Sequence, residues 1–348
     1  MVSLSMGTAG GNAWARSTPA GSGVVVHRGA RQVRLALPWA HSGLSVPVFA
    51  AKALGDWDEQ NLDVVVETVH GSIDAVDALI DSRFDFVIAA ASAAIHRQAG
   101  CGPLVAIAAC GDDSRMGICV PADSALRVPA DCAGARLGFA PGSAEFQFLP
   151  EYARRAGIDL TKVETLELPP DEREAALARK DVGAIAGFAG SMVPVLEALG
   201  CPARVFLFRD AGLDLGGHAL IVRASTLHDD AALCAAIVAG LLHAIHFVLL
   251  HPEESLALQK IPEAPGALAR LRRAVAFSNG ALLPVAREHG LGWSDPARYT
   301  ALAQLVSPPV GQRWCAPDEM FTNRFAEPGP LPRAEWLAAA ALASASAP

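Results

Sequence analysis

Residues 33–69 read VRLALPWAHSGLSVPVFAAKALGDWDEQNLDVVVETV, and their reading decides the fold. VRLAL is a short apolar strand, SVPVFAAKALGDW a helix that ends at Gly55, and LDVVVETV a second strand. A strand, a helix and another strand within so few residues predict a βαβ unit with parallel strands. The rhythm continues outward. SIDAVDALIDS has apolar residues at helical spacing and Ser72 placed as an N-cap, DFVIAAAS is a third strand, and PLVAIAAC is a fourth after another helix.

The pattern then restarts. MGICVPA and ARLGFA are strands, and AEFQFLPEYARRAG is a helix closed by Gly157, with Pro150 predicting a kink or a late start. VETLEL, REAALARK, VGAIAGF, MVPVLEALG and ARVFLFR extend the alternation, and GHALIVRA is one more strand. Beyond it the chain reads as helical to about Val306, then Pro-rich past Pro308, with an Ala-rich helix from about Arg333. The fold class expected is α/β, two doubly wound lobes joined by a two-strand hinge at MGICVPA and GHALIVRA. The expected divisions are a disordered tail over 1–32, a discontinuous first lobe over 33–117 and 218–315, a second lobe over 118–217, and a C-terminal extension over 316–348.

Composition narrows the function classes. A formal net charge of −8 and a pI near 5.7 disfavour nucleic acid and anionic membrane surfaces as partners. Hydrophobic residues make up 52% of the chain and charged ones only 18%, which predicts a packed globular protein. The seven cysteines, Cys101, Cys110, Cys119, Cys132, Cys201, Cys234 and Cys315, are dispersed without a C-x-x-C pair, and read as small buried hydrophobes. Residues 1–32 lack a basic segment followed by an apolar core, and contain no cysteine for lipid attachment. AALCAAIVAGLLHAIHFVLL, residues 231–250, has the length of a membrane span. With Asp229 and Asp230 before it, HPEE after it, and His243 and His246 inside, it reads instead as a buried core helix with no transmembrane role.

Five phrases, taken in order, resemble one family. They are LALPWAHSGLSVPVFAAKALGDWDEQNLDVVV (35–66), LIDSRFDFVIAAASAAI (79–95), LRVPADCAGARLGFAPGSAEFQFLPEYARRAGID (126–159), ARKDVGAIAGF (178–188) and PDEMFTNRF (317–325). Together they resemble the substrate-binding proteins of ABC importers for nitrate, sulfonates, taurine and thiamine-pyrimidine precursors. The resemblance implies a type II periplasmic-binding-protein fold, a small-molecule ligand held between closing lobes, an ABC permease as partner, and a periplasmic location. Cytoplasmic residence is the alternative, because no signal peptide is visible in 1–32.

In such a fold the ligand lies where strand carboxyl ends face each other. Lobe one then offers Trp39, Ala40, His41 and Ser42, then Gly71 and Ser72, then Ala91 and Ser92. Lobe two offers Gly142 and Ser143, then Phe188, Ala189, Gly190 and Ser191. Trp39 is a stacking surface or a core aromatic, and His41 a hydrogen-bond donor or a loop histidine without a role. Ser72 and Ser92 are ligand contacts or helix caps, and Phe188 a cleft wall or core. Gly142 and Ser143 precede a helix whose first amides attract an anion or a carbonyl oxygen. Glu145 tempers that attraction with no arginine opposite it, and Arg115 reads as a surface pair with Asp112 and Asp113. A neutral or weakly charged heterocycle fits these residues better than a strong anion.

The rival is an enzyme, or an intracellular sensor, on the same fold. Thiamine-pyrimidine synthases are similar in the same phrases but carry a cofactor-binding lysine after the third strand and a cysteine-rich iron motif near the return strand. Here those places hold Ala89 and LDLGGHALIV. An aromatic desulfinase of this fold uses a cysteine in the first loop, and PWAHSG has none. G-x-S-x-G, Walker A, G-x-G-x-x-G and H-E-x-x-H are also missing, so no catalytic residue, cofactor or metal is expected. His243 and His246 read as satisfied histidines on an apolar helix.

Overall fold

The computed structural model describes residues 29–39, 42–98, 104–111, 114–169, 172–261, 263–306 and 315–345. The N-terminal tail up to residue 28, His41 with Ala40, Cys101, and Asp112 with Asp113 lie outside them.

The first unit runs β1 (Arg31–Leu37), α1 (Ser45–Leu54), β2 (Leu62–Thr68), α2 (Ser72–Ile80), β3 (Phe86–Ala90), α3 (Ala91–Arg97) and β4 (Leu104–Ala109). The second runs β5 (Met116–Pro121), β6 (Arg136–Phe139), α4 (Glu145–Ala156), β7 (Glu164–Glu167), α5 (Arg173–Ala178), β8 (Ala184–Phe188), α6 (Ala189–Ala198) and β9 (Ala203–Leu207). After β10 (His218–Arg223) come α7 (Ala224–Asp229), α8 (Ala231–Leu250), α9 (Pro252–Ala257), α10 (Ala267–Glu288), α11 (Pro296–Leu305) and α12 (Arg333–Ala345). β1 thus starts within the segment expected to be tail. Gly55 and Gly157 end α1 and α4 in the left-handed conformation, as their positions after each apolar pattern predict. α4 begins at Glu145 with Pro150 inside it, so the proline delays no start.

The strands form two five-stranded sheets, ordered β2-β1-β3-β10-β4 and β7-β6-β8-β5-β9. β1 pairs in parallel with β2 and β3, and β6 does the same with β7 and β8. The fourth strand of each sheet is antiparallel to both neighbours: β10 in the first, β5 in the second. Each of these strands follows a strand of the other sheet, so the chain crosses between sheets just before it, at 110–115 and at 208–217. The expected hinge strands are therefore sheet members, and the crossings are the segments leading into them. This is the two-lobed type II arrangement, with one antiparallel strand in each otherwise parallel sheet.

β3 and β4 are buried along their whole length, because helices cover both faces of the first sheet. α8 is the one described helix long and apolar enough to cross a membrane, and most of it is buried against the rest of the protein. Asp230 caps it through Leu233 N, and Trp57 Nε1 donates to Ile237 O at 3.2 Å. His243 and His246 each meet a carboxylate, Asp56 at 2.7 Å and Glu335 at 2.8 Å, as expected of satisfied histidines. The C-terminal segment docks on the same lobe. Ala106 bonds Met320 O and Thr322 N, and Trp336 Nε1 donates to Leu283 O. Of the described cysteines, Cys110, Cys119, Cys132 and Cys234 are buried, and burial pushes the Cys110 thiol up to about 12.

The two lobes are in contact. One apolar cluster runs from Val87 and Leu79 beside the first sheet to Ile118, Leu137 and Phe148 of the second unit. α10 spans the join: Arg273 pairs with Glu197 of α6, and the Gly190 backbone lies against Phe277.

Candidate functional site

Two glycine turns meet where the lobes touch. Gly71 precedes α2 with φ 107°, and Gly142 precedes α4 with φ 71°, conformations that side-chain-bearing residues rarely adopt. A Cβ on Gly71 would lie 2.4 Å from Gly142 O, and one on Gly142 would lie 2.4 Å from His70 O. The close approach is cemented by a hydrogen bond from Ile73 N to Gly142 O at 3.1 Å. Gly142 thus spends its carbonyl on the opposite lobe.

From this junction the contacts close into a ring. On the first lobe, Ser72 is buried at the first position of α2, and its Oγ accepts from Ala90 N at 3.1 Å. Ser72 is therefore not the N-cap; Gly71 is, and the hydroxyl ties α2 to the end of β3. Ala91 N donates to Gly217 O, and Ser92 next to it is fully buried. Gly217 leads into His218, whose ring lies 4.6 Å from that of Phe188 at the end of β8. Ser191 Oγ donates to Phe188 O at 2.9 Å, so this serine serves its own helical turn. Two residues before Phe188, Ala186 O accepts from Arg173, which faces Glu145 at 3.7 Å. Glu145 opens α4, two residues after Ser143, and returns the path to Gly142.

Ser92 Oγ and His218 Nε2 on this ring are buried and make no hydrogen bond among the described residues, and Ser143 Oγ and both oxygens of Glu145 are buried without a well-formed one. Burial pushes the His218 imidazole down to about 4, so it is neutral near pH 7. Burial also raises the Glu145 carboxyl above its ordinary value, with Arg173 and the Ser143 hydroxyl beside it pulling the other way. Asp74, which lies against Gly142, is raised by burial too, opposed by His70.

The first loop completes one side. Trp39 is half-buried just past β1. Ser42 forms a turn with Ser45, whose Oγ donates to Ser42 O at 2.8 Å. Gly43 admits no side chain, because a Cβ there would meet Ala274 O of α10 at 2.2 Å. Asp112 and Asp113, the expected partners of Arg115, lie outside the described residues. Arg115 itself is half-buried at the first crossing, its carbonyl accepts from Ala189 N, and its guanidinium sits 5.5 Å from the Phe277 ring centre. Two small cavities are lined by the first lobe and the segment entering β10. One of about 20 Å³ lies beneath Gly43, Cys110 and Ser278, and another of about 20 Å³ adjoins His218, Ser294 and Tyr299. Each has room for about one water molecule.

Glu145 with its Arg173 partner, and His218, are the site features that sequence reading missed or misjudged. Glu145 was visible as an early helical acid, but Arg173 faces it from α5, 28 positions away, within its own lobe. His218 carried a weak signal, a polar residue opening an otherwise apolar strand.

The family model described as NMT1/THI5 like matches residues 44–255, more than half of the chain. The chain belongs to the NMT1/THI5-like family. The matched span takes in both sheets except β1, and every ring residue named above. Solved structures agree on the fold. A protein of Bordetella bronchiseptica RB50 is 19% identical, with 84% of this chain and 95% of that one covered at a TM-score of 0.68. The periplasmic aliphatic sulphonate binding protein SsuA of Escherichia coli is 19% identical over 72% of this chain and 84% of that one, at 0.56. The periplasmic nitrate-binding protein NrtA of Synechocystis PCC 6803 is 14% identical over 72% and 71%, at 0.55. A search of curated proteins finds no match.

Proposed function

We propose that the chain is a solute-binding protein that captures a small organic molecule between its two lobes and delivers it to an ABC-type permease. The observation that carries this reading is the ring itself. A buried polar group without a well-formed hydrogen bond costs about 1–3 kcal/mol, and four residues bear that cost at one inter-lobe junction. A ligand that bonds Ser92, Ser143, Glu145 and His218 would offset it. Trp39, Ser42 and Phe188 supply the surrounding walls, with Gly71, Ser72, Ala91, Gly142 and Ser191 shaping the backbone. His41 is proposed as part of the same loop.

Entry of the ligand is proposed to require the lobes to part, because the Gly71 and Gly142 turns are in direct contact. The segments at 110–115 and 208–217 are the natural hinges, dividing the chain into lobes near 33–117 with 218–315 and 118–217. The location proposed is periplasmic, in keeping with the names of the sulphonate- and nitrate-binding neighbours.

A thermal-shift screen of sulfonates, pyrimidines and aromatic acids tests the reading. A micromolar ligand at millimolar dose adds about 4 kcal/mol of stability. Trp39→Ala combined with Ser143→Ala should abolish the shift while leaving the fold intact. Absence of any shift across these classes would overturn the reading, and unchanged affinity in the double variant would move the site elsewhere.

A further inference from the structure

Contact between the lobes is not confined to the two glycine turns. Side chains of the first sheet alternate between two apolar clusters. Leu35, Phe86, Ile88 and Ile107 belong to one, with Leu271 and Val275 of α10. Ala36, Val87, Ala89 and Ala106 belong to the other, with Ile73 and Val76 of α2 and Phe148 of α4. Successive residues of a strand point to opposite faces, so α10 and α2 cover opposite faces of that sheet. The Gly71–Gly142 contact, between the starts of α2 and α4, therefore lies on one side of the junction. What α10 touches lies on the other.

There the bridge is built from charge and an aromatic ring. Arg273 forks onto Glu197 in the last turn of α6: Nε donates to one carboxylate oxygen at 3.0 Å, and a second nitrogen donates to the other at 3.2 Å. One turn further along α10, Phe277 packs against the second lobe's own apolar cluster of Ile185, Met192 and Leu196. The Arg273 guanidinium lies 4.9 Å from the Phe277 ring centre and that of Arg115 lies 5.5 Å away, both within reach of cation–π attraction. Arg115 is held at φ 45°, a conformation rare outside glycine, while its carbonyl accepts from Ala189 N at the start of α6. Only 16% of the Arg273 side chain and 35% of that of Glu197 are exposed. A two-pronged pair sheltered to that degree is stronger than an ordinary surface pair, and salt still weakens it. α10 carries its own control in the preceding residue. Arg272 forks onto Glu253 of α9 within the first lobe, with 43% and 61% of the two side chains exposed.

We propose that Arg273, Phe277 and Glu197 form a salt-sensitive latch between α10 and α6, which holds the lobes together on the face opposite the glycine turns and sets how readily they open. The latch rests on the reading that the lobes part to admit a ligand. It acts on the balance of open and closed forms and touches no ligand itself.

Hydrogen exchange on the full, ligand-free chain tests the latch from a distance. The Ile73 amide bonds Gly142 O across the junction on the far side, so its exchange reports parting of the lobes. The amides of β3, at the centre of the first sheet, report global unfolding. Glu197→Gln keeps the shape and removes the charge. It should speed exchange at Ile73 about fivefold and leave β3 unchanged. Raising NaCl from about 0.05 M to about 0.5 M should do the same to the wild-type chain and little to the variant. Glu253→Gln should change nothing at Ile73. Circular dichroism establishes that the variants are folded, and the salt response of the wild-type chain is read without any variant. Ile73 exchange that stays faster than that of β3, yet responds to neither Glu197→Gln nor salt, overturns the latch and leaves parting of the lobes standing. Equal acceleration by Glu253→Gln, or an undiminished salt response in Glu197→Gln, overturns the latch as well. Ile73 exchange as slow as that of β3 in every condition makes the lobes one rigid body, and overturns the proposed route of entry together with the latch.

Discussion

Gly71-Ser72 and Gly142-Ser143 are the same phrase used twice. Each follows a parallel strand, bends through a glycine at positive φ, and enters a helix with a buried serine. They differ in where the hydroxyl goes. Ser72 Oγ accepts from Ala90 N and ties a helix to the strand beside it, whereas Ser143 Oγ makes no well-formed hydrogen bond and lies beside the Glu145 carboxyl. The first turn is finished by its own lobe; the second is left incomplete, with Glu145 beside it in the same condition. Local chemistry alone does not make a binding turn. The supply of neighbours decides.

The comparison can be broken most forcefully at the glycines. Gly142→Ala places a Cβ within 2.4 Å of a backbone oxygen of the opposite lobe and also strains a φ of 71°. The strain alone costs about 1–2 kcal/mol, and relief of the clash requires the lobes to separate. Small-angle scattering should show a larger radius of gyration, and ligand affinity should fall by about a hundredfold or more. An unchanged radius and affinity would mean that the two turns do not hold the lobes together.

A second test uses pH, because His218 joins the two halves of the ring. Its folded-state imidazole takes a proton only near pH 4, while the unfolded chain takes one from about 6.5. The unfolded state therefore binds more protons between those values, and stability falls as pH drops from 6.5 towards 4. The loss reaches about 3 kcal/mol. Denaturant titrations of wild type and His218→Gln should diverge across that window, and parallel pH profiles would show that His218 is not the source.

The two serines sharpen the comparison further. Ser72→Ala strands the Ala90 amide and should cost about 1–3 kcal/mol in urea unfolding, with ligand affinity nearly unchanged. Ser143→Ala removes a buried hydroxyl without a well-formed hydrogen bond, so stability should hold or rise, by up to about 1–3 kcal/mol. Its effect should appear instead in Kd, as a loss of about tenfold. The reverse pattern, a stability loss at Ser143 and a binding loss at Ser72, would exchange the roles assigned to the two turns.

Much of the fold was legible because its signals are local. Apolar runs and helical spacing marked every strand from β1 to β10, glycines at 55 and 157 closed their helices, and Asp230 capped α8. Ser72 was misread for an equally local reason: a serine after a glycine looks like an N-cap until the strand beside it is known. The approach of the Arg115 guanidinium to Phe277, a residue far along the chain, had no local signal at all.

The sequence by itself determined the order of strands and helices, the two α/β units and the family. Those follow from side-chain periodicity, caps and turn residues within a few positions of one another. Only the tertiary structure decided which glycine-serine turn is left unsatisfied, that Arg173 stands against Glu145, and that His218 is buried and neutral against Phe188. Hydrogen bonding, burial and charge at those residues are set by groups tens of positions away, and they acquire a meaning when two lobes bring those groups within a few ångströms.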